Sequence, residues 1–284
     1  MMTDPKWGSP SPFHDPLVLS RFRARAGDVL ITTAPKAGTT WMQQILHQLR
    51  CGGDEDFHSI DEVVPWLELH RSGLTVEQVL ADFERLPVPR VFKTHCTYEQ
   101  CPGLDTARVI LTTRDPRDCC VSFYHHLRDM TDEARERHGI VAPASLSEYV
   151  DEWLSFGSWY RNVESWWPHR ERDNILMLRY EDLKRDLASG MRQILAFLGW
   201  ELSERGFAHA LACSSFAWMK ENSWRFTALG KERAPVFKPG GFIRSGKVGE
   251  GRSSLAPEHE ARILRHARER LEPECLAFLG IAAQ

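Results

Sequence analysis

The stretch from Asp28 to Arg50 constrains this chain more than any other. Asp28-Val-Leu-Ile-Thr-Thr33 is a short, β-branched apolar run of the kind that forms a buried strand. Ala34-Pro-Lys-Ala-Gly-Thr-Thr40 follows as a loop. Trp41, Ile45 and Leu49 then recur at helical spacing, so a helix runs from Thr39 to about Arg50. Strand, glycine loop and helix in that order open an α/β unit. Gly38 lets the backbone approach an anion closely, and the Thr39 and Thr40 N–H groups open a helix whose N-terminus favours negative charge. Lys36 adds a full positive charge. The order is not that of a nucleoside-triphosphate P-loop, GxxxxGK[ST], whose lysine follows the second glycine. Thr39 stands in that place, and no acidic residue is obviously positioned to hold Mg²⁺.

The pattern repeats downstream. Arg90-Val-Phe-Lys-Thr94, Ala107–Thr113 and Asn174–Arg179 read as further strands. A helix is expected from Thr75 to about Leu86, closed by Pro87 and Pro89. Asp115-Pro116 reads as an N-cap and first helical residue, opening a helix to about Arg128. Ser145-Leu-Ser-Glu148 fits a capping box, and Gly157 divides that helix from a Trp-rich one. More helices are expected near 189–198, 203–212 and 257–271. Strands alternating with helices predict a central parallel sheet flanked by helices, with ligands at the carboxyl ends of the strands.

The 284 residues suit a single α/β domain, spanning 1–284. Residues 1–16 are expected to be an irregular arm. Residues 221–252, rich in Gly, Lys and Arg, read as a binding loop or lid. The net charge of −3 argues against wholesale nucleic-acid binding but leaves room for a local basic pocket. No run of 18 apolar residues exists, so no membrane span is expected, and the N-terminus lacks a signal-peptide core. Seven scattered cysteines without a CxxC imply neither a disulfide framework nor a zinc site, and fit free thiols in a reducing cytoplasm.

Six blocks, in order, carry a family resemblance. Pro35-Lys-Ala-Gly-Thr-Thr-Trp41 resembles the PKSGTTW loop of the cytosolic sulfotransferases, and Lys93-Thr-His95 resembles their KTH. Arg114-Asp-Pro-Arg-Asp118 with Val121-Ser-Phe-Tyr-His125 is similar to RNPKD and VSYYH. Gly157-Ser-Trp-Tyr160 with Trp166-Trp167, Tyr180-Glu-Asp-Leu-Lys184, and Phe242-Ile-Arg-Ser-Gly246 are similar to GSWY…WW, YEDMK and FMRKG. The blocks span roughly residues 28–260.

The resemblance implies a P-loop-like sulfotransferase fold and an enzyme that moves sulfonate from 3′-phosphoadenosine 5′-phosphosulfate (PAPS) to an acceptor, leaving 3′,5′-adenosine bisphosphate (PAP). It assigns the leaving oxygen to Lys36 and the 5′-phosphate to Gly38, Thr39 and Thr40. It makes His95 the general base, with Lys93 on the same strand face placed to contact the sulfonate. Sulfuryl transfer needs such cations at developing charge and a base for the acceptor proton. The resemblance gives the 3′-phosphate to Arg114, Ser122, Arg244 and Gly246. It sandwiches adenine between Trp41 and Phe216, with Tyr180 and Ser214 at its edge. The other eleven histidines are left without a role.

The match departs in two places. The family's RKGxxGDWK here reads Arg244-Ser-Gly-Lys-Val-Gly-Glu-Gly-Arg252, so Ser245 replaces a lysine and Gly251 a tryptophan, with Lys247 a nearby substitute cation. The family's dimer motif is absent around Arg252–Ala261, which leaves the oligomeric state open. The expected partner is a small acceptor, a phenol, alcohol, lipid or natural product carrying a hydroxyl or amine. No metal is required, and the expected location is cytoplasmic. The alternatives are a P-loop-like nucleotide kinase, a nucleotide-binding protein without catalysis, and a PAPS-dependent alcohol dehydratase.

Overall fold

The computed structural model describes residues 4–227 and 236–281. Its sheet has four parallel strands in the order β2-β1-β3-β4: β1 (Val29–Thr32), β2 (Val91–Thr94), β3 (Arg108–Thr113) and β4 (Ile175–Arg179). Register pairs Thr32 with Thr94, Ile31 with Ile110, and Thr113 with Arg179. Every residue of β1 is buried, as an unbroken apolar strand covered on both faces must be. Val29 and Ile31 pack on one face with Met42 and Ile45, while Leu30 packs on the other with Phe92, Val109 and Trp166.

Helices α1 (Pro16–Arg21), α2 (Thr39–Cys51), α3 (Ile60–Val63) and α4 (Val76–Phe83) precede β2. Between β3 and β4 run α5 (Pro116–Arg128), α6 (Asp132–His138), α7 (Leu146–Phe156) and α8 (Ser158–Trp166). After β4 come α9 (Tyr180–Arg185), α10 (Leu187–Leu198), α11 (Glu204–Cys213) and α12 (Phe216–Glu221). The chain closes with α13 (Glu250–Ser254), α14 (Pro257–Arg270) and α15 (Pro273–Phe278). A second apolar core joins α5, α7, α8, α14 and α15 around Trp159, Tyr160, Ile263 and Cys275.

The expected sheet and longer helices are present to within a few residues. The helices that periodicity misses (α1, α3, α6, α9, α12, α13 and α15) have four to seven residues each, too short to show a 3.6-residue repeat. The N-terminal arm is less irregular than expected. It has a 3₁₀ turn at Pro5–Trp7, and Asp15 caps α1 by accepting from the N–H groups of Leu17 and Val18. Of the expected capping box at Ser145, the serine half is in place, accepting from Glu148 N. Part of the expected lid, residues 228–235, lies outside the described residues.

Strand order fixes where a ligand can sit. The chain leaves β1 toward β2 on one side and later returns to β3 on the other. The crevice of such a sheet lies at the carboxyl ends of the two strands flanking that switch. The Pro35–Thr40 loop follows one of them and Arg114 follows the other.

Candidate active site

The loop after β1 is shaped for an anion. Gly38 caps α2 in the left-handed region at φ 98°, and no side chain caps that helix end. The first-turn N–H groups of α2 therefore lack an intrahelical acceptor. A Cβ on Gly38 would come within 2.9 Å of the Tyr180 ring, so only glycine closes this turn. Lys36 is itself left-handed at φ 68°, a strain of about 1–3 kcal/mol that non-glycine residues carry chiefly at functional sites. Its Nζ lies 2.9 Å from His126 Nδ1. Burial, then the nearby Lys93 and Arg114, lowers the Lys36 pKa to about 7.

His95 is held from several sides. Its Nδ1 lies 2.7 Å from the Thr33 carbonyl, which can only accept. The ring proton is therefore on Nδ1, and the Nε2 lone pair is the free one. The His95 backbone N–H donates to Glu68 Oε1 at 2.8 Å. The next carbonyl, that of Cys96, accepts from Thr32 Oγ1, Asn162 Nδ2 and Trp166 Nε1 at 2.9, 3.3 and 3.0 Å. The imidazole meets the Trp66 ring edge-on at 5.1 Å, and Lys93 Nζ sits 4.0 Å from the centre of the same ring. Burial, then the charge of Lys93, pushes the His95 pKa down to about 3. Burial also lowers Lys93, to about 8, against the opposing pull of Asp61 and Glu68. His95 is thus a neutral acceptor beside two crowded lysines.

Arg114 lies at the end of β3, its guanidinium 4.5 Å from the Tyr180 ring centre. Trp159 Nε1 donates to its carbonyl at 3.1 Å, which ties the Trp-rich block to this strand end. Its Nη2 donates to the Lys247 carbonyl at 2.8 Å, while its buried Nε has no partner. Asp118, also buried, accepts from Gly249 N at 2.9 Å and Gly251 N at 2.7 Å and so fastens the 247–251 loop to α5. This explains Gly251. A Cβ there would lie 2.5 Å from the Arg117 carbonyl carbon, so the loop reaches α5 only without a side chain. Lys247 contributes its backbone here; its side chain is exposed and does not line the cavity. Arg244 is engaged by Glu250 through two bonds of 2.6 Å.

These groups border one cavity of about 1040 Å³. Of the residues singled out in the sequence, Lys36, Gly38, Thr39, Thr40, Trp41, Lys93, His95, Arg114, Ser122, Tyr180, Phe216, Arg244 and Gly246 all line it. Ser214 does not. It is fully buried, its carbonyl accepts from Trp41 Nε1 at 2.8 Å, and its hydroxyl has no partner. Trp41 and Tyr180 meet edge-on, and Lys184 Nζ lies 5.7 Å from the Trp41 ring and 5.2 Å from the Phe216 ring.

Sequence reasoning missed four contributors. His126, left without a role, faces Lys36 and lines the cavity. Its place directly after the Val121–His125 block is the signal that could have found it. Glu68 and Trp66 come from the stretch between the first two blocks, and Phe13 comes from the arm. Two groups with metal-ligating side chains, His47–Cys51–Asp54 and Glu55–His209–Cys213, lie away from the cavity lining. In the first, Arg50 donates to His47 Nδ1, which leaves the proton on the Nε2 that faces Asp54.

The family profile described as "Sulfotransferase domain" matches residues 26–273. The chain belongs to the sulfotransferase family. It is 29% identical over 274 residues to sulfotransferase 1C2 of Homo sapiens, covering 92% of this chain and 88% of that one. It is 31% identical over 270 residues to sulfotransferase 1 family member D1 of Mus musculus, covering 90% and 88%. The structure of mouse sulfotransferase SULT7A1 complexed with PAP shares its fold, with a TM-score of 0.73, 23% identity and coverage of 93% and 92%. This sulfotransferase is accordingly an enzyme of sulfonate transfer, and the kinase and non-catalytic readings of its loop give way. No helix among its described residues is long and apolar enough to cross a membrane.

Proposed function

We propose that this sulfotransferase takes sulfonate from PAPS and delivers it in line to a hydroxyl on a small, largely apolar acceptor. His95 is the base. The acceptor proton passes to Nε2 as the acceptor oxygen bonds to sulfur, and the bond from sulfur to the bridging oxygen of the donor breaks. Lys36 receives the charge developing on that oxygen, and Lys93 faces the transferring group. The uncapped start of α2, with Thr39 and Thr40, holds the 5′-phosphate. Arg114, Ser122, Arg244 and Gly246 hold the 3′-phosphate, and Trp41 and Phe216 hold the adenine, with Tyr180 at its edge and Ser214 acting from behind through Trp41. The buried, unpartnered Nε of Arg114 supports a phosphate there, because it is a charged donor with no acceptor of its own.

The observation that carries this reading is a convergence. A neutral imidazole with its free nitrogen fixed by the Thr33 carbonyl lines the same cavity as Lys36 and Lys93. The remaining walls, among them Phe13, Phe123, Ile140, Phe237 and Phe242, are apolar and suit a hydrophobic acceptor body. The test is incubation of the protein with PAPS and pooled phenols, alcohols and amines, read by mass spectrometry. Gain of SO₃ on an acceptor with equimolar PAP supports the reading. A dehydrated product would make the sulfate ester a leaving group. No PAPS-dependent product from any pool would count against the reading.

A further inference from the structure

Glu250 stands at the point where the donor reading places a phosphate. Its two oxygens take both Nη groups of Arg244 at 2.6 Å, and Ser245 Oγ donates to Oε2 at 2.9 Å. Arg244, Ser245, Gly246 and Glu250 all border the cavity, together with Arg114. An arginine fork grips one planar or tetrahedral anion bidentately on a given edge, so carboxylate and phosphate compete for that edge. Glu250 cannot drift away with its backbone. The N–H groups on either side of it, Gly249 and Gly251, are both tied to the buried Asp118. Ser245 adds to the effect. Where the resembling chains carry a lysine, it offers a neutral hydroxyl, and that hydroxyl is used to hold the carboxylate. Arg114, the other cation here, is shared with Asp118 at 3.4 Å.

We propose that Glu250 sets donor selectivity: its carboxylate occupies the Arg244 fork as an internal stand-in for the 3′-phosphate, and a 3′-phosphorylated nucleotide must displace it to bind. The proposal rests on the donor reading above. Its consequence is a 3′-phosphate subsite weaker than its two arginines alone would make it, and an enzyme that tolerates nucleotides lacking that phosphate better than an unopposed fork would.

The test is calorimetric titration of the full chain with PAP and with adenosine 5′-phosphate, which lacks the 3′-phosphate. Glu250→Gln keeps the shape and removes the charge. It should tighten PAP roughly tenfold, the scale of one charge-assisted bond, and leave adenosine 5′-phosphate within about twofold. Ser245→Lys gives Glu250 a cation of its own and should move PAP in the same direction, with the 5′-phosphate again unmoved. The ratio of the two affinities is a readout that general loosening of the loop would not shift. Weaker or unchanged PAP binding in both variants, or equal tightening of both nucleotides, would overturn the proposal and leave Glu250 as a scaffold for Arg244. A wild-type protein with no preference for PAP over adenosine 5′-phosphate, kept in both variants, would sink the donor reading and this proposal together. A wild type that prefers PAP alongside variants that do not tighten it would sink this proposal alone.

Discussion

The two ends of the cavity are built on different plans. The end at the strand termini is polar and made mostly by short contiguous segments, the loop after β1, the His95 turn after β2 and Arg114 after β3, with Arg244 and Gly246 added from the long loop. Its geometry is backbone geometry, set by a left-handed Gly38, an uncapped helix start and the Cys96 carbonyl with its three donors. The far end is apolar and assembled from pieces distant in sequence, with Phe13 from the arm, Ile140 to Ala144 between α6 and α7, Phe156 from the end of α7, and Phe237 and Phe242 from the long loop. Reacting groups need fixed positions, because a small misplacement costs heavily in rate. An apolar acceptor wall needs only shape and area, which many side chains supply. The fold thus puts chemistry on its sheet and recognition on its loops.

The comparison breaks most sharply at His95. His95→Ala should lower turnover by roughly 10²–10⁴-fold, the usual cost of losing a general base. PAP affinity should stay near wild type, since no phosphate is assigned to this residue. Steady-state rates on an unactivated alcohol check it, and near-normal turnover would remove His95 from the chemistry. Next in size, Arg114→Ala should cost about 1.5–3 kcal/mol of PAP binding, the range for hydrogen bonds to charged groups. Adenosine 5′-phosphate should be much less affected, and equal losses would place Arg114 elsewhere. Smaller still, Phe156→Ala at the far end should raise the acceptor KM severalfold, on the order of 1 kcal/mol of apolar contact. Phe156 is exposed, so the substitution leaves the core intact. A comparable change in PAP affinity would show that the two ends are not separate.

The smallest effect concerns protons. Burial and neighbouring cations hold Lys36 at a pKa of about 7, and a donor anion favours the charged amine and raises it. At pH about 8, PAP binding should therefore take up at most about one proton, seen as a calorimetric enthalpy that varies with buffer ionisation heat. Lys36→Met should reduce the uptake to what Lys93, held at about 8 in the same cavity, still contributes. His95 has the same direction of shift and a stability consequence. Its folded pKa of about 3 lies below its unfolded value of about 6.5, so between those values the unfolded chain binds more protons. Its contribution to stability is thus lost as pH falls through that window, and His95→Asn should flatten the acid side of the melting-temperature profile.

Much of the polar end was legible before any coordinates. Lys36, Gly38 and His95 stand at fixed offsets in segments whose strand, loop and helix character shows in the same residues. The apolar end was opaque for a physical reason. Phe13 and Phe237 belong to segments without periodicity, and nothing local says that an arm and a loop more than two hundred residues apart meet over one cavity. Glu68 and His126 were hidden differently. Each acts through long-range contacts, Glu68 to the His95 N–H and His126 to Lys36, that no local pattern encodes. In sequence Gly251 is only a departure from the family's tryptophan, whereas the structure makes it the condition for closing the loop on α5.

Under the proposed function the polar end recognises a nucleotide by its 3′- and 5′-phosphates, without a metal-bound triphosphate. Thermal unfolding of the wild-type protein with PAP, adenosine 5′-phosphate or ATP with Mg²⁺, at matched concentrations, tests it directly. A ligand that binds only the folded state raises the melting temperature in step with its affinity. PAP should raise it most and adenosine 5′-phosphate less, with ATP and Mg²⁺ below PAP. Stronger protection by ATP with Mg²⁺ than by PAP would contradict the account and return the loop after β1 to kinase chemistry.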